Sequence, residues 1–362
     1  MSLISCSGTI GKMAYARAEM KGVWSSQDVL KVVADPEKIE SGYLYAYLSS
    51  KFGVPLLVSG TYGSIIQHLE PDQIADLPVP RFGDTLEHEI HELVEEAADL
   101  RTKASSKLAS AKIDLLDAIG SPPTFGLSRA GKLTTQVPSN QILQTRRCDP
   151  WFFNGRAVAL DQWVRGHKNG FWRLGDVAEV FGVSPFKRVY VEGDEQGLGF
   201  FGSADVFKLD RTPEAFIARA ATKGLEDYIL PRGALLLASS GQLNGIIVRP
   251  QFVDSALAGK AASNHVLRIV PRPDKIPAGY LFTYLSLEEL GHPLIQRTAT
   301  GDSIPEIWPA YLNDIPVIKA PQKLMDALHA RVIDAFEMRV RATHRERTAR
   351  LRIEEALQQV TA

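Results

Sequence analysis

The chain has little cysteine, no surplus of either charge and no long apolar run. Two cysteines in 362 residues, Cys6 and Cys148, cannot staple a fold of this size or supply a four-thiolate metal site, which points to a reducing compartment. No apolar stretch approaches the roughly 20 residues that cross a bilayer, and nothing at the N-terminus reads as a secretory signal. The expected location is therefore cytoplasmic, with no membrane partner. Lys and Arg number 41 against 42 Asp and Glu, a net charge of −1. DNA affinity comes largely from neutralised phosphates, so this balance weighs against nucleic acid unless base is unevenly placed or an assembly supplies it. No Ser/His/Asp set, paired-carboxylate cluster or complete cofactor loop stands out, so the chain does not read as an enzyme. What is present is the composition of an ordinary globular protein, 45% hydrophobic and 23% charged, with length enough for two domains.

The most ordered stretch runs from Leu86 to Ile119. Apolar residues recur at Leu86, Ile90, Leu93, Ala97, Leu100, Ala104, Leu108, Ala111, Leu115 and Ile119, the three-and-four spacing of a long amphipathic helix or coiled coil. Neither Pro nor Gly interrupts it before Gly120, and Pro122 and Pro123 follow, a natural stop. At about 1.5 Å per residue the rod would measure roughly 50 Å. The stretch recurs at the C-terminus. A shift of 238 positions carries Leu86 to Leu324, His91 to His329, Val94 to Val332, Ala97 to Ala335, Arg101 to Arg339, Ala104 to Ala342, Ala111 to Ala349 and Ala118 to Ala356 without a gap. The first copy is acidic at its start (Glu87, Glu89, Glu92, Glu95, Glu96) and the second basic in its later half (Arg339, Arg341, Arg345, Arg347, Arg350, Arg352). Antiparallel pairing sets these against each other.

The segments ahead of each helix repeat as well. Ile4–Lys12, a short strand entering a Ser/Gly turn, parallels Leu236–Gly245, with Ser7 on Ser240. Ser26–Val32 parallels Ser263–Ile269, each ending in strand-like alternation, and Gly42–Leu48 parallels Gly279–Leu285. Ser64-Ile65 matches Ser303-Ile304, and Leu77-Pro78-Val79-Pro80 matches Ile315-Pro316-Val317-Ile318, which read as a strand before each helix. The halves are unequal in one respect: 136–235 has no counterpart before Ile4. Within it, Trp172–Val180, Phe186–Val191 and Gly199–Phe207 read as strands, and Thr212–Thr222 as containing a short helix. The expected fold is α+β, two α/β modules, the first partial, separated by two long helices that pair as an antiparallel coiled coil. The expected boundaries are a partial first module at 1–85, a helix at 86–120, a linker at 121–145, a second module at 146–319 and a second helix at 320–362.

The order of these motifs, duplicated along one chain, resembles the DNA-specificity subunits of type I restriction–modification systems. The resemblance rests on Trp172–Val180, the strand-to-turn elements Ser5–Lys12 and Ser239–Gly245, the two GYL segments, the Ser-Ile pairs, the proline-bearing strands and the helices, and covers nearly the whole chain from Ile4. It implies two target-recognition domains, each reading one half of a bipartite site in double-stranded DNA. The helices would fix the gap and dock DNA adenine methyltransferase subunits, and indirectly the restriction subunit. No chemistry or cofactor would lie on this chain; S-adenosylmethionine, ATP and Mg would belong to the partners. One departure is that the first domain lacks its N-terminal half. The apolar face left open would invite self-association, so a homodimer of the isolated chain is a further expectation.

Candidate DNA contacts are Ser7, Thr9, Lys12, Gln27 and Ser64 in the first half, and Lys187, Arg188, Tyr190, Ser239, Ser240, Gln242, Asn244, Asn264 and Ser303 in the second. Gln and Asn pair bidentately with adenine, whereas Lys and Arg suit phosphates. The bland reading of the same residues is a strand-ending turn and solvated surface. The candidate partner-binding seam comprises Leu86, Ile90, Leu93, Ala97 and Leu100 with Leu324, Leu328, Val332 and Ala335. Ser7–Lys12 only partly matches a phosphate-binding loop, with Cys6 and Met13 where that pattern needs Gly and Ser/Thr. His88 and His91 lack the spacing of a zinc helix, and His91 reads as surface. Arg146 and Arg147 read as phosphate clamps or interdomain ion pairs. Tyr43, Tyr45 and Tyr47, with Tyr280, Phe282 and Tyr284, read as core. The rival function is a coiled-coil protein-interaction scaffold that binds no DNA; a stand-alone enzyme ranks third.

Overall fold

A glycine on either side fixes the first long helix. Gly83, at φ 93°, precedes it, and the helix runs Asp84–Ile119. Asp84 and Glu87 lie in its first turn, where the helix dipole favours carboxylates. Gly120, at φ 82°, closes it by donating to the Leu116 carbonyl, the left-handed stop that glycine adopts without strain. The second long helix spans Gln322–Thr361. These bounds come from a computed structural model that describes residues 1–59, 68–123, 136–243, 245–301 and 303–361. The chain forms two units, Met1–Ser105 with Met338–Ala362, and Ser106–Glu337. Each contains a portion of both long helices.

In the first unit the helices run antiparallel. Glu89 pairs with Arg352 at 2.6 Å and Glu96 with Arg345 at 2.9 Å, so one index falls as the other rises. This is the acidic-on-basic arrangement expected from the sequence. Exposed pairs contribute little stability; they set register, and the seam of Ile90 and Val94 with Ala349 and Ile353 supplies the burial. Against the helices packs an antiparallel sheet in the order Met13–Tyr15, Ser2–Ser5, Val29–Val32. The helix Ser41–Leu48 buries Tyr43, Tyr45 and Tyr47.

The second unit repeats this plan and extends it. Lys107 pairs with Asp334 and Asp114 with Arg331, again antiparallel. The strands Gln251–Phe252, Leu235–Ala238 and Val266–Pro271 occupy the places of the first unit's three, and Ala178–Phe181 adds a fourth beside Val266–Pro271. A second sheet orders Ala261–Ala262, Gly197–Phe201, Ala215–Ala218 and Tyr190–Val191. Phe171–Arg173 pairs with Pro316–Ile318.

Hydrogen bonds repeat with the sequence. Gly42 N–H donates to His91 Nδ1 at 3.1 Å, and Gly279 N–H to His329 Nδ1 at 3.0 Å. Tyr43 and Tyr47 hydroxyls donate to the carbonyls of Pro80 and Pro78; Tyr280 and Tyr284 donate to those of Ile318 and Pro316.

Four local expectations need correction. Thr212–Thr222 holds a strand, Ala215–Ala218, because its AFIA run is claimed by strands on both sides. In Phe186–Val191 only Tyr190–Val191 is strand, since Pro185 and Phe186 remain in the preceding loop. Gly199–Phe207 divides into the strand Gly197–Phe201 and a 3₁₀ turn, Asp205–Phe207, because the Asp205 carboxylate accepts the Gly202 N–H and turns the chain. Leu77–Pro80 is not a strand. Its counterpart Pro316–Ile318 is one only because Phe171–Arg173 pairs with it, and that segment has no equivalent in the first unit.

Candidate nucleic-acid interface

At one end of the second unit's sheet, three loops close on one another through main-chain bonds. Ser239 N–H donates to the His265 carbonyl at 2.9 Å, and Ile307 N–H donates to the Ser239 carbonyl at 2.7 Å. Ser240 bridges Glu306, and Gly241 N–H reaches Pro305 O at 3.1 Å. The first unit closes its loops in the same way. Cys6 N–H donates to Asp28 O, Leu69 N–H donates to Cys6 O, both at 2.9 Å, and Ser7 bridges His68. The clasp saturates main-chain groups that would otherwise be orphaned at the strand ends, leaving side chains free to face outward.

In the second unit a fourth loop joins the clasp. Arg188 Nη2 donates to Asn264 Oδ1 at 3.3 Å, and its guanidinium lies over the rings of Phe186 and Phe200 at 5.7 and 5.1 Å. The exposed Lys187 and the 56% exposed Tyr190 flank it. Arg188, Asn264, Ser239 and Ser240 are thus brought into one linked set, with Gln242 and Ser303 exposed on the same two loops. Ile304 and Trp308, 68% and 55% exposed, add apolar surface beside them. In the first unit Ser7 is half-buried, and Thr9, Lys12 and Gln27 are exposed. Ser5 holds their turn, its Oγ accepting the Lys12 N–H at 3.0 Å and donating to Thr9 O. The strand Met13–Tyr15 follows that turn. A phosphate-binding loop needs a helix N-terminus at this point, so a nucleotide has no cradle there. Ser64 and Asn244 lie outside the described residues.

Arg268 is a residue that sequence reasoning missed. Fully buried in the strand Val266–Pro271, it donates to the carbonyls of Ala262 at 2.8 Å, Ser263 at 3.1 Å, Tyr228 at 3.4 Å and Val266. Burial pulls its pKa down to about 10, so it remains charged at neutral pH, directly behind the loop that carries Asn264. A lone Arg in the apolar run Val266-Leu267-Arg268-Ile269-Val270 was the available signal.

Other expectations are corrected. His91 is not a surface residue; it accepts the Gly42 N–H and is half-buried, because the glycine brings a helix start onto it. Arg147 is 4% exposed, ion-paired with Asp149 at 2.7 Å, bonded to Thr298 O and stacked on Phe152 and Tyr311. It braces its own unit and is not available to phosphate. Of the seam residues, Ile90, Ala97, Leu328, Val332 and Ala335 are buried within the chain, and Leu86, Leu93, Leu100 and Leu324 are half-buried. A docking partner therefore meets the outer faces of these helices. Among the described residues no group of His, Cys, Asp or Glu could hold a metal ion, and no helix is long and apolar enough to cross a membrane.

No family model and no curated protein matches this sequence. Solved structures do show similarity. The type I restriction–modification S subunit from M. genitalium is 13% identical with a TM-score of 0.41, over 97% of this chain and 82% of that one. The HsdS subunit from Thermoanaerobacter tengcongensis is 14% identical with a TM-score of 0.35, over 98% of this chain and 80% of that one. A chain from a study of complex assembly and conformational transition of the type I R-M system is 15% identical with a TM-score of 0.37, over 98% and 81%.

Proposed function

We propose that the chain is the DNA-recognition subunit of a type I restriction–modification complex. It performs no catalysis; each unit reads one half of a bipartite site, and the outer faces of the long helices dock adenine methyltransferase subunits, with the restriction subunit joining through them. The observation that supports this most directly is the duplicated clasp. The same loops, closed by the same main-chain bonds, sit at the strand ends of both units, each followed by a long helix. Gln242, Ser239, Ser240 and Asn264 offer donors and acceptors for base edges, while Lys187 and Arg188 suit phosphates. S-adenosylmethionine, ATP and Mg act on the partner chains.

The test is recovery of the complex from the source cell, followed by footprinting on genomic fragments. A copurifying adenine methyltransferase and a split protected site are expected. A Lys187→Ala/Arg188→Ala variant should lose roughly tenfold or more in affinity per contact, with protection fading at one half-site only. Recovery of neither methyltransferase nor protected DNA refutes the proposal and favours a protein-binding scaffold, which the net charge of −1 and the 96% exposed Trp24 would suit.

A further inference from the structure

The two units differ in one pairing, and the difference leaves a formed groove. From Val29 to Gly42 the first unit aligns without a gap on Val266 to Gly279. In the second unit the strand Val266–Pro271 lies between two neighbours, Leu235–Ala238 and Ala178–Phe181. In the first, Val29–Val32 pairs only with Ser2–Ser5 among the described residues. Asp28 O faces that neighbour, and main-chain groups alternate along an antiparallel strand. Those of Leu30 and Val32 therefore face Ser2–Ser5, and those of Lys31 and Val33 face outward.

Beside this free edge lies a cavity of about 640 Å³ whose apolar lining includes Leu30, Val32, Leu44, Ile74, Leu77 and Val79. Its two lips are the counterparts of the two strands that grip one continuous segment in the second unit. That segment is Phe171–Phe181. Phe171–Arg173 pairs with Pro316–Ile318, the equivalent of Pro78–Pro80, and Ala178–Phe181 pairs with Val266–Pro271, the equivalent of Val29–Ala34. Its turn buries Leu174 and Val177 completely or nearly so.

We propose that the groove along Val29–Val32 docks a strand–turn–strand segment of a separate polypeptide, apolar at alternate positions, which adds antiparallel to the free edge. The register carries over from the second unit, placing the segment's second strand so that its equivalents of Val180 and Ala178 oppose Val32 and Ala34. A second copy of this chain cannot lend its own Phe171–Phe181 without opening its core, since Leu174, Val177 and Ala178 are all at most 1% exposed there. The groove also states a preference. In the second unit Arg272 donates to the carbonyls of Gly175 and Asp176 at the turn. Asp35 stands in its place, so the partner's turn meets a carboxylate and carries a cation or N–H donors.

The experiment adds a synthetic Gly170–Gly182 peptide to the full chain and follows amide hydrogen exchange. Saturable binding should slow exchange at Lys31 and Val33 while leaving Leu30 and Val32 unchanged. A peptide carrying Val177→Asp and Val180→Asp should not bind. Asp35→Arg should tighten the native peptide roughly tenfold by restoring the turn contact. Val33→Pro removes an outward donor, a change that an edge strand tolerates, and should abolish binding with the circular dichroism spectrum unchanged. Lys31 and Val33 amides unaffected at peptide saturation in both the parent and the Asp35→Arg chain would overturn the proposal. So would protection that is present without peptide and rises with protein concentration, because a second copy would then occupy the edge.

Discussion

A methyl group added at Gly42 or Gly279 should destabilise the protein, against the usual sign of a Gly→Ala change in a helix. Both glycines sit in the first turn of a short helix that rests on a long one. A Cβ on Gly42 would lie 2.7 Å from His91 Nδ1, 2.8 Å from its carbonyl oxygen and 2.9 Å from its Cα; one on Gly279 would lie 2.5 Å from His329 Cα and 2.9 Å from its oxygen. Four of these five contacts are with backbone, which cannot turn aside, so the helices must separate by about 0.5–1 Å to reach ordinary van der Waals distance. Such overpacking costs about 1–3 kcal/mol. The separation also stretches the N–H···Nδ1 bond, now 3.1 and 3.0 Å, whose loss adds about 1 kcal/mol. Alanine's helical advantage returns about 1 kcal/mol. The net expectation is a loss of about 1–3 kcal/mol for each variant, which at a typical slope lowers the urea midpoint by roughly 0.5–1.5 M. Urea titrations followed by circular dichroism measure it. If either alanine variant matched or exceeded the parent in stability, the close helix approach would be wrong.

Two further outcomes follow from buried charge. Arg268→Met keeps the volume but abandons carbonyls now bonded to the guanidinium, and should cost roughly 2–4 kcal/mol in denaturant titrations; a neutral result would mean that water already satisfies those carbonyls. His292 is held neutral, its pKa lowered to about 4, first by desolvation and then by Lys112 and Arg249, against the opposing pull of Glu288 and Glu289. Its unfolded pKa is near 6.5, so the unfolded chain binds the extra proton between the two values and stability falls as pH drops from about 6.5 to about 4. The full shift would correspond to about 3.4 kcal/mol, and partial exposure reduces this to about 1–2 kcal/mol. His292→Gln should flatten the stability profile across that window by this amount, and an unchanged acid limb would refute the assignment.

The parts of the fold that were legible in the sequence are those decided locally. The long helices announced themselves by period, Gly120 by its place after the last apolar residue, and the antiparallel arrangement by opposite charge at opposite ends. The GYL segments read as buried short helices because Leu44, Leu48, Leu281 and Leu285 share their tyrosines' faces. What failed was decided by partners far along the chain. Ala215–Ala218 is a strand because two other strands claim it, and Leu77–Pro80 is not one because nothing described pairs with it. The site divides likewise. The Ser/Gly turns marked the loops, but the Arg188–Asn264 bond joins residues 76 positions apart, and the reach of Arg268 back to Tyr228 spans 40. No local pattern reports either. His91 was misread because a histidine on a charged helix looks solvated until the glycine that donates to it is in place.

The near-neutral charge, the chief objection to a DNA-binding role, weakens once the charges are located. Glu89 with Arg352, Glu96 with Arg345 and Arg101 with Glu346 cancel within the helix pair of the first unit, as do Lys107 with Asp334 and Asp114 with Arg331 in the second. These residues enter the total but say nothing about the loops. At the second unit's clasp, Lys187 and Arg188 face outward, and the charge of Arg268 sits behind them answered by carbonyls alone, in a poorly screened interior. The turn beyond Val191 opposes them with Glu192, Asp194 and Glu195. So small a local surplus can neutralise few phosphates, and affinity scales with that number. On the proposed function, binding strength then has to come from the assembled methyltransferase partners, and the clasp's contribution is the choice of sequence.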